Sequence, residues 1–107
     1  MIGRPTRFFL RDGSAVDEAT WRRQHGDPAY IRVAETELPS GIWISTVWTG
    51  VDHDGHEPAR VFETAVFDPR VPGMPKALDE EQYATEAEAF AGHAAMVARW
   101  KQGSGRG

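Results

Sequence analysis

The 107-residue chain contains no cysteine. Disulfide bonds, iron–sulfur clusters and zinc sites built on thiolates are therefore excluded. No apolar run comes close to the length of about 20 residues that is needed to span a bilayer. The first ten residues lack the apolar centre of a signal peptide. These absences predict a soluble, cytoplasmic protein that does not associate with a membrane.

Recognisable catalytic motifs are also missing. Ser45 and Thr46 lie outside any nucleophile turn of the G-x-S-x-G kind, and no glycine-rich loop is present that would hold a phosphate. The sequence therefore indicates no cofactor and favours a non-enzymatic protein.

The acidic balance of the chain bears on its partners. The formal net charge is −4, and it is unevenly distributed. Residues 1–34 hold six arginines against four acids, whereas residues 35–107 hold six bases against twelve acids. Binding to duplex nucleic acid needs a concentrated basic face. The scattered N-terminal arginines do not form one in sequence, so a nucleic-acid partner is not expected.

Length and patterning predict a single α+β domain over residues 1–102, followed by a flexible Gly- and Ser-rich tail at 103–107. We expect an antiparallel, three- to four-stranded meander, with a C-terminal amphipathic helix packed on one face and a short N-terminal helix. Turn residues and β-branched runs place strands at 6–11, 30–38, 42–49 and 60–68, with a brief addition at 83–84 and an irregular connection over 69–82.

Two of these segments carry the strongest signals. The run 42–49 lacks clean alternation, which predicts a strand that is buried on both faces or central in the sheet. It should form a hairpin with 60–68 around the polar loop 50–59. A Thr85–Glu88 capping box opens the C-terminal helix, which should end at Gly103. We expect its buried stripe to contain Ala87, Phe90, Ala91, Ala94, Val97 and Ala98.

The hairpin loop concentrates side chains with chemical potential. Asp52, His53, Asp54, His56 and Glu57 offer imidazoles and carboxylates within six residues. Metal binding requires several of these groups to converge. Proximity in a loop does not supply that convergence, and a solvated loop has the same composition. No metal site is therefore assigned.

Three further residues are candidates for a binding surface. His93 lies near the edge of the helical apolar stripe, as a base, a ligand or a hydrogen-bonded core histidine. Glu63 shares a strand face with apolar neighbours, which makes it a candidate for a perturbed pKa. Trp43 and Trp48 lie on opposite faces of their strand, so one of them can be exposed for contact. We place the functional surface at the hairpin end, around Trp48, Asp52 and His53.

Four segments, in the same order, resemble a family of small proteins of actinobacteriophages and of actinobacterial genomes with related elements. They are Tyr30–Thr36, Ser45–His53, Val61–Phe67 and the helix opening Tyr83–His93. The resemblance covers about residues 9–99 and brings no established activity. It implies a phage-derived protein that acts in the host cytoplasm or travels in the virion. The motif positions include Trp48, Asp52, His53, Glu63 and His93.

These observations favour a non-enzymatic, phage-type binding protein that docks on a host or phage protein. One alternative is a metal-dependent or acid–base enzyme that uses His53, Glu63 and His93. A second alternative is a virion structural protein, and the oligomeric state is left open. The enzyme requires its three residues to come together in space.

Overall fold

The structure is a computed structural model that describes residues 6–71 and 76–104. It confirms the α+β class, the antiparallel meander and both predicted helices. The elements, in chain order, are β1 (Phe8–Phe9), β2 (Ala15–Val16), α1 (Glu18–His25), α2 (Pro28–Ile31), β3 (Arg32–Glu37), β4 (Trp43–Trp48), β5 (Phe62–Phe67), β6 (Asp79–Tyr83) and α3 (Glu86–Ser104).

The main sheet has the strand order β3-β4-β5-β6, and every neighbouring pair is antiparallel. The predicted hairpin is confirmed, because β4 and β5 pair over their full length from Trp43 opposite Phe67 to Trp48 opposite Phe62. β-Branched and aromatic side chains suit both strands. The strand β4 has neighbours on both sides, so its predicted central position is also confirmed.

The fourth strand of the sheet corrects the sequence interpretation. Residues 79–83 form β6, although most of this segment was expected to be irregular and only 83–84 to be extended. Three consecutive acids give the segment low strand propensity. Tertiary contacts compensate, because the Asp79 carboxylate accepts hydrogen bonds from Trp100 (3.0 Å) and Arg99 (2.8 Å) on α3. Charge on an edge strand also discourages pairing with other chains.

The N-terminal boundary of α3 is confirmed, whereas its C-terminal boundary is not. Thr85 Oγ1 accepts a hydrogen bond from the Glu88 amide at 3.1 Å, and the Glu88 carboxylate accepts one from the Thr85 amide at 3.2 Å. The helix then continues through Gly103 to Ser104, so two residues of the expected tail are helical. The rest of that tail, residues 105–107, lies outside the described residues.

The buried side of α3 differs from the predicted stripe. Ala89, His93 and Met96 are buried, whereas Phe90 is 49% exposed. The expectation that Phe90 fills the space between helix and sheet is therefore wrong. Alanines occur on every side of α3, so their pattern does not determine which side of the helix faces the sheet. Gly92 determines it, because this residue lets the helix lie directly on the Tyr83 ring.

A polar layer divides the core beneath α3 into two hydrophobic clusters. One cluster contains Leu38, Ile42, Ile44, Val66 and Met96. The other contains Trp48, Val61, Phe62 and Ala89. Thr46, Thr64 and His93 lie between them, since each is flanked along its element by members of both clusters.

The N-terminal segment covers the Trp48 end of the sheet. The predicted strand at 6–11 is shorter than expected, and β1 pairs with β2 in a separate two-stranded sheet. The Phe9 amide donates to the Gly50 carbonyl (2.9 Å), and the indole of Trp48 donates to the Phe9 carbonyl (2.9 Å). These bonds fix the chain start against the base of the β4–β5 loop.

Candidate functional site

The two faces of the main sheet have different surroundings. Along β4 the side chains alternate strictly, with Ile44, Thr46 and Trp48 buried and the intervening residues only partly buried. The described helices all pack on the same face as these buried residues. Trp21 of α1 and Tyr30 of α2 pack in the Trp48 cluster. Helix α3 contributes Ala89 to that cluster and Met96 to the other cluster. We call this the covered face.

The opposite side, which we call the open face, carries an aromatic pair. The Trp43 and Phe67 rings are cross-strand neighbours with centroids 5.5 Å apart and planes tilted by 31°. Val47 and Ala65 extend the apolar strip, and all four residues are partly exposed. By strand register the whole open face contains Arg32, Glu35, Glu37, Trp43, Ser45, Val47, Glu63, Ala65, Phe67, Glu80 and Gln82.

Carboxylates frame this apolar strip on both sides. Glu37 lies opposite Trp43, and Glu35 lies opposite Ser45 on the same flank. Glu80 on β6 lies opposite Ala65 on the other flank, and Glu63 lies opposite Val47 at the end of the strip. Burial raises the pKa of Glu63, and the negative charge of Glu80 raises it further, against a hydrogen bond from Gln82. The pKa of Glu63, which the sequence named as a candidate for perturbation, is therefore raised, partly by a like charge on the open face.

His93 belongs to the covered face. Its Nδ1 lies 2.7 Å from the Thr46 hydroxyl, and its Nε2 lies 2.9 Å from the Thr36 hydroxyl. Thr46 also bonds to Thr64, so one polar network links α3 to three strands. Burial lowers the pKa of His93, which favours the neutral imidazole. The geometry matches the hydrogen-bonded core histidine, and only 7% of the residue is exposed.

Trp48 is fully buried, so the expectation that it offers a contact surface at the hairpin end is wrong. Its ring meets the Tyr30 ring edge-on at 4.9 Å. Gly50 makes room for it, since a Cβ there would lie 2.5 Å from both the Trp48 and the Trp21 rings. The large indole at the strand end therefore stabilises the fold beneath the N-terminal segment.

Asp52 organises the hairpin loop. Its carboxylate accepts bonds from the amides of Asp54 (2.8 Å), His56 (3.1 Å) and Arg60 (2.9 Å), and it lies 2.9 Å from the His56 ring. Burial acts to raise its pKa, but these amide and imidazole partners outweigh burial and hold the pKa at about 2. With this many hydrogen bonds to loop residues, the Asp52 side chain holds the loop in its conformation.

Metal-ligand atoms do approach one another in this loop. Among the described residues, Asp52, Asp54 and His56 form a group whose ligand atoms lie within 4.8 Å of one another. The Asp52 oxygens are already occupied by the amides that fold the loop, which leaves the group poorly suited to a cation. His53 is exposed and lies outside it, beside a shallow cleft of about 650 Å³ that Phe8 and Trp21 also line.

The structure does not bring together the three residues of the enzyme alternative. His93 faces the covered side of the sheet, where it bonds to Thr46. Glu63 follows the opposite alternation in β5 and lies on the open face. His53 lies in the loop beyond the strand ends. The sheet itself separates His93 from Glu63, so these groups do not share a reacting atom.

Sequence reasoning found Glu63 and missed the rest of the open face. Strand parity placed Trp43 and Trp48 on opposite faces, but it did not indicate which of them is buried. Thr46 and Thr64 make the buried side hard to identify from the sequence, because polar residues usually indicate a side that faces solvent. The acids at 35, 37 and 80 become neighbours only through the register of four strands.

Comparison with protein-family models, with curated proteins and with solved structures finds no match to this chain. The resemblance to actinobacteriophage proteins therefore stays a prediction. Among the described residues, no helix combines the length and apolar character needed to cross a membrane.

Proposed function

We propose that this chain is a small binding protein that docks on another protein through the open face of its sheet and does not itself catalyse a reaction. The observation that carries the proposal is the composition of that face. Trp43, Phe67 and Val47 lie partly exposed on a rigid sheet whose other side holds the helices. Aromatic side chains surrounded by polar groups are characteristic of the centres of protein interfaces.

Rigidity of the surface supports this function. The open-face residues of β4 and β5 belong to the central pair of strands, which makes six consecutive register pairs. Neighbouring positions on the covered face are fully buried, so the backbone that presents Trp43 and Phe67 is held from behind. A surface that is ordered before binding loses little conformational freedom when a partner docks.

The resemblance stated above suggests where to look for the partner. A host or phage protein of actinobacterial origin remains our expectation, and a virion component is among the proteins that the experiment would detect. The enzyme alternative has less support, because His53, Glu63 and His93 lie on different parts of the molecule.

The test is quantitative capture from an actinobacterial lysate, with identification by mass spectrometry. Trp43→Ala should reduce the captured partner at least tenfold, the loss typical of a central aromatic contact. Phe90→Ala is the control, because it removes an exposed aromatic ring from the other side of the molecule. Loss of capture supports the proposal when the variant still shows a cooperative thermal transition, and capture that survives Trp43→Ala would contradict docking through the open face. The exposed His53 would then be the next position to vary.

A further inference from the structure

We infer that the open face recognises an amphipathic, arginine-bearing helix of the partner protein, with one guanidinium held between the Trp43–Phe67 pair and Glu37. The inference rests on the proposed docking function and specifies the chemistry of the partner. It is carried by charge complementarity, by the dimensions of the face and by two arginine contacts that the same chain makes elsewhere.

The charge of the open face selects a basic partner. Against four glutamates the strand register places one arginine on this face, Arg32 opposite Val47, and its guanidinium pairs with Glu35 at 3.1 Å. Glu37, Glu63 and Glu80 form no ion pair with any residue in 6–71 or 76–104. An uncompensated negative surface repels nucleic acid and anionic lipid. A second copy of this chain would also place like charges opposite one another.

Two arginines of this chain show how such a cation can be held. The Arg11 guanidinium lies 5.8 Å from the centre of the Tyr30 ring and pairs with Glu86. Arg7 lies 5.4 Å from the centre of the Phe9 ring and pairs with Glu57 at 3.5 Å. Each planar cation therefore combines an aromatic face with a carboxylate, a combination that suits arginine better than lysine.

The open face contains a third pairing of this kind without a cation. Glu37 and Trp43 are direct cross-strand neighbours, which places their Cβ atoms about 5 Å apart. Phe67 flanks Trp43 on its other side. Within the described part of the chain, no arginine or lysine lies over either ring. An arginine from a partner would complete the arrangement.

The dimensions of the face suit a helix. Four strands about 4.8 Å apart give a width of about 15 Å, and six residues give a length of about 20 Å. A helix with its side chains is about 10–12 Å across. Its apolar side would cover Val47 and Ala65, and its basic flanks would reach Glu35 and Glu37 on one side and Glu80 on the other. A basic residue at one end of the helix would reach Glu63.

The four tryptophans provide a direct readout of this binding. The indole N–H groups of Trp21, Trp48 and Trp100 donate to Thr49, Phe9 and Asp79 respectively. In the described part of the chain the indole of Trp43 makes no such bond. In an NMR titration with a synthetic helix-forming peptide of arginine, leucine and alanine, the Trp43 indole resonance should shift and the other three should stay in place.

Charge variants then test the chemistry. The triple variant Glu37→Gln, Glu63→Gln, Glu80→Gln should weaken binding of the arginine peptide about tenfold or more, since each exposed ion pair contributes modestly. Glu81→Gln is the matched control, because its side chain lies on the other face of the same strand. The same peptide with lysine in place of arginine should bind more weakly, and the version with glutamate should not bind.

Several outcomes would overturn the inference. They are binding of the arginine peptide to the triple variant at wild-type strength, equal binding of the lysine or glutamate peptide, and failure of the arginine peptide to shift Trp43. The lysate assay separates this failure from failure of the proposed function. If the triple variant keeps full capture while Trp43→Ala loses it, docking stands and the basic partner is excluded. If both variants keep full capture, both proposals fail.

Discussion

Trp43 and Trp48 occupy the two ends of one strand and face opposite sides of the same sheet. Trp48 is fully buried, with its indole bonded to the backbone of the N-terminal segment. Trp43 is partly exposed beside Phe67 and Glu37. Identical side chains therefore serve different purposes, because helices cover one face and leave the other open. Residue type alone does not reveal which tryptophan stabilises the fold and which is available to a partner.

The sharpest way to break this comparison is to remove each indole in turn. We expect Trp48→Ala to lower the free energy of unfolding by about 3–5 kcal/mol, since it empties a buried aromatic site. Trp43→Ala should lower it less, by about 1–2 kcal/mol, because Trp43 is only partly buried and loses chiefly its contact with the Phe67 ring. Chemical denaturation of both variants measures the difference. Equal losses would mean that the two faces are equally covered.

The next largest effect should come from Gly92, where α3 touches β6. A Cβ at this position would lie 2.2 Å from Cε1 and Cζ of Tyr83, far inside van der Waals contact. We expect Gly92→Ala to destabilise the protein by about 2–3 kcal/mol, despite the better helix propensity of alanine.

A double-mutant cycle isolates that contact. The double variant Gly92→Ala, Tyr83→Ala should lose less stability than the sum of the two single losses, because the clash at position 92 disappears with the ring. Additive losses in thermal or urea unfolding would show that the helix does not rest on the Tyr83 ring.

His93 should make the stability of the covered face depend on pH. Burial lowers its pKa below the ordinary 6.5, so the unfolded chain takes up the proton first. Stability should therefore be complete above pH 6.5 and decline as the pH falls below it. The pKa of Asp52, lowered from 3.8 to about 2, produces its own loss in the separate window between those values.

The variant His93→Gln should remove the upper of these two pH windows. It should also cost about 1–3 kcal/mol at neutral pH, because the hydroxyls of Thr36 and Thr46 lose well-placed partners. Urea unfolding across the pH range measures both effects. A decline below pH 6.5 that persists in the variant would assign the titration to another group.

The smallest expected effect belongs to the open face. Burial and the charge of Glu80 raise the pKa of Glu63, so its ionised form is less favourable in the folded protein. The penalty is present at neutral pH and is relieved as the pH falls through the raised pKa towards the ordinary 4.5. Glu63→Gln should therefore stabilise the neutral protein by less than about 1 kcal/mol.

Glu81→Gln, on the covered side of the same sheet edge, is the control for that measurement. A loss of stability in Glu63→Gln would show that the Glu63 carboxylate has a favourable partner in the folded state. The contrast between an open face with excess negative charge and a covered face whose polar groups are hydrogen-bonded would then no longer hold.

Sequence reasoning predicted the elements of the fold better than it predicted the candidate site. The Thr85–Glu88 capping box predicted the start of α3, and the hydrogen bond from the Glu88 amide to the Thr85 hydroxyl confirms it. Of the open face, sequence reasoning predicted Glu63 alone. The other acids are unremarkable in sequence, because a surface carboxylate acquires meaning only from neighbours on adjacent strands.

Local interactions determine the α+β fold class of this protein, so the sequence alone predicts it. Turn glycines and prolines, β-branched runs and a capping box act over a few residues, so the order of strands and helices follows from them. The tertiary structure alone decided which face of the sheet is covered, how α3 is rotated about its axis and that residues 79–83 form a strand. Those outcomes depend on close contacts between distant residues, such as Gly92 with Tyr83, His93 with Thr46, and Asp79 with Trp100. No local pattern encodes such contacts, because their free energy arises only when the elements meet.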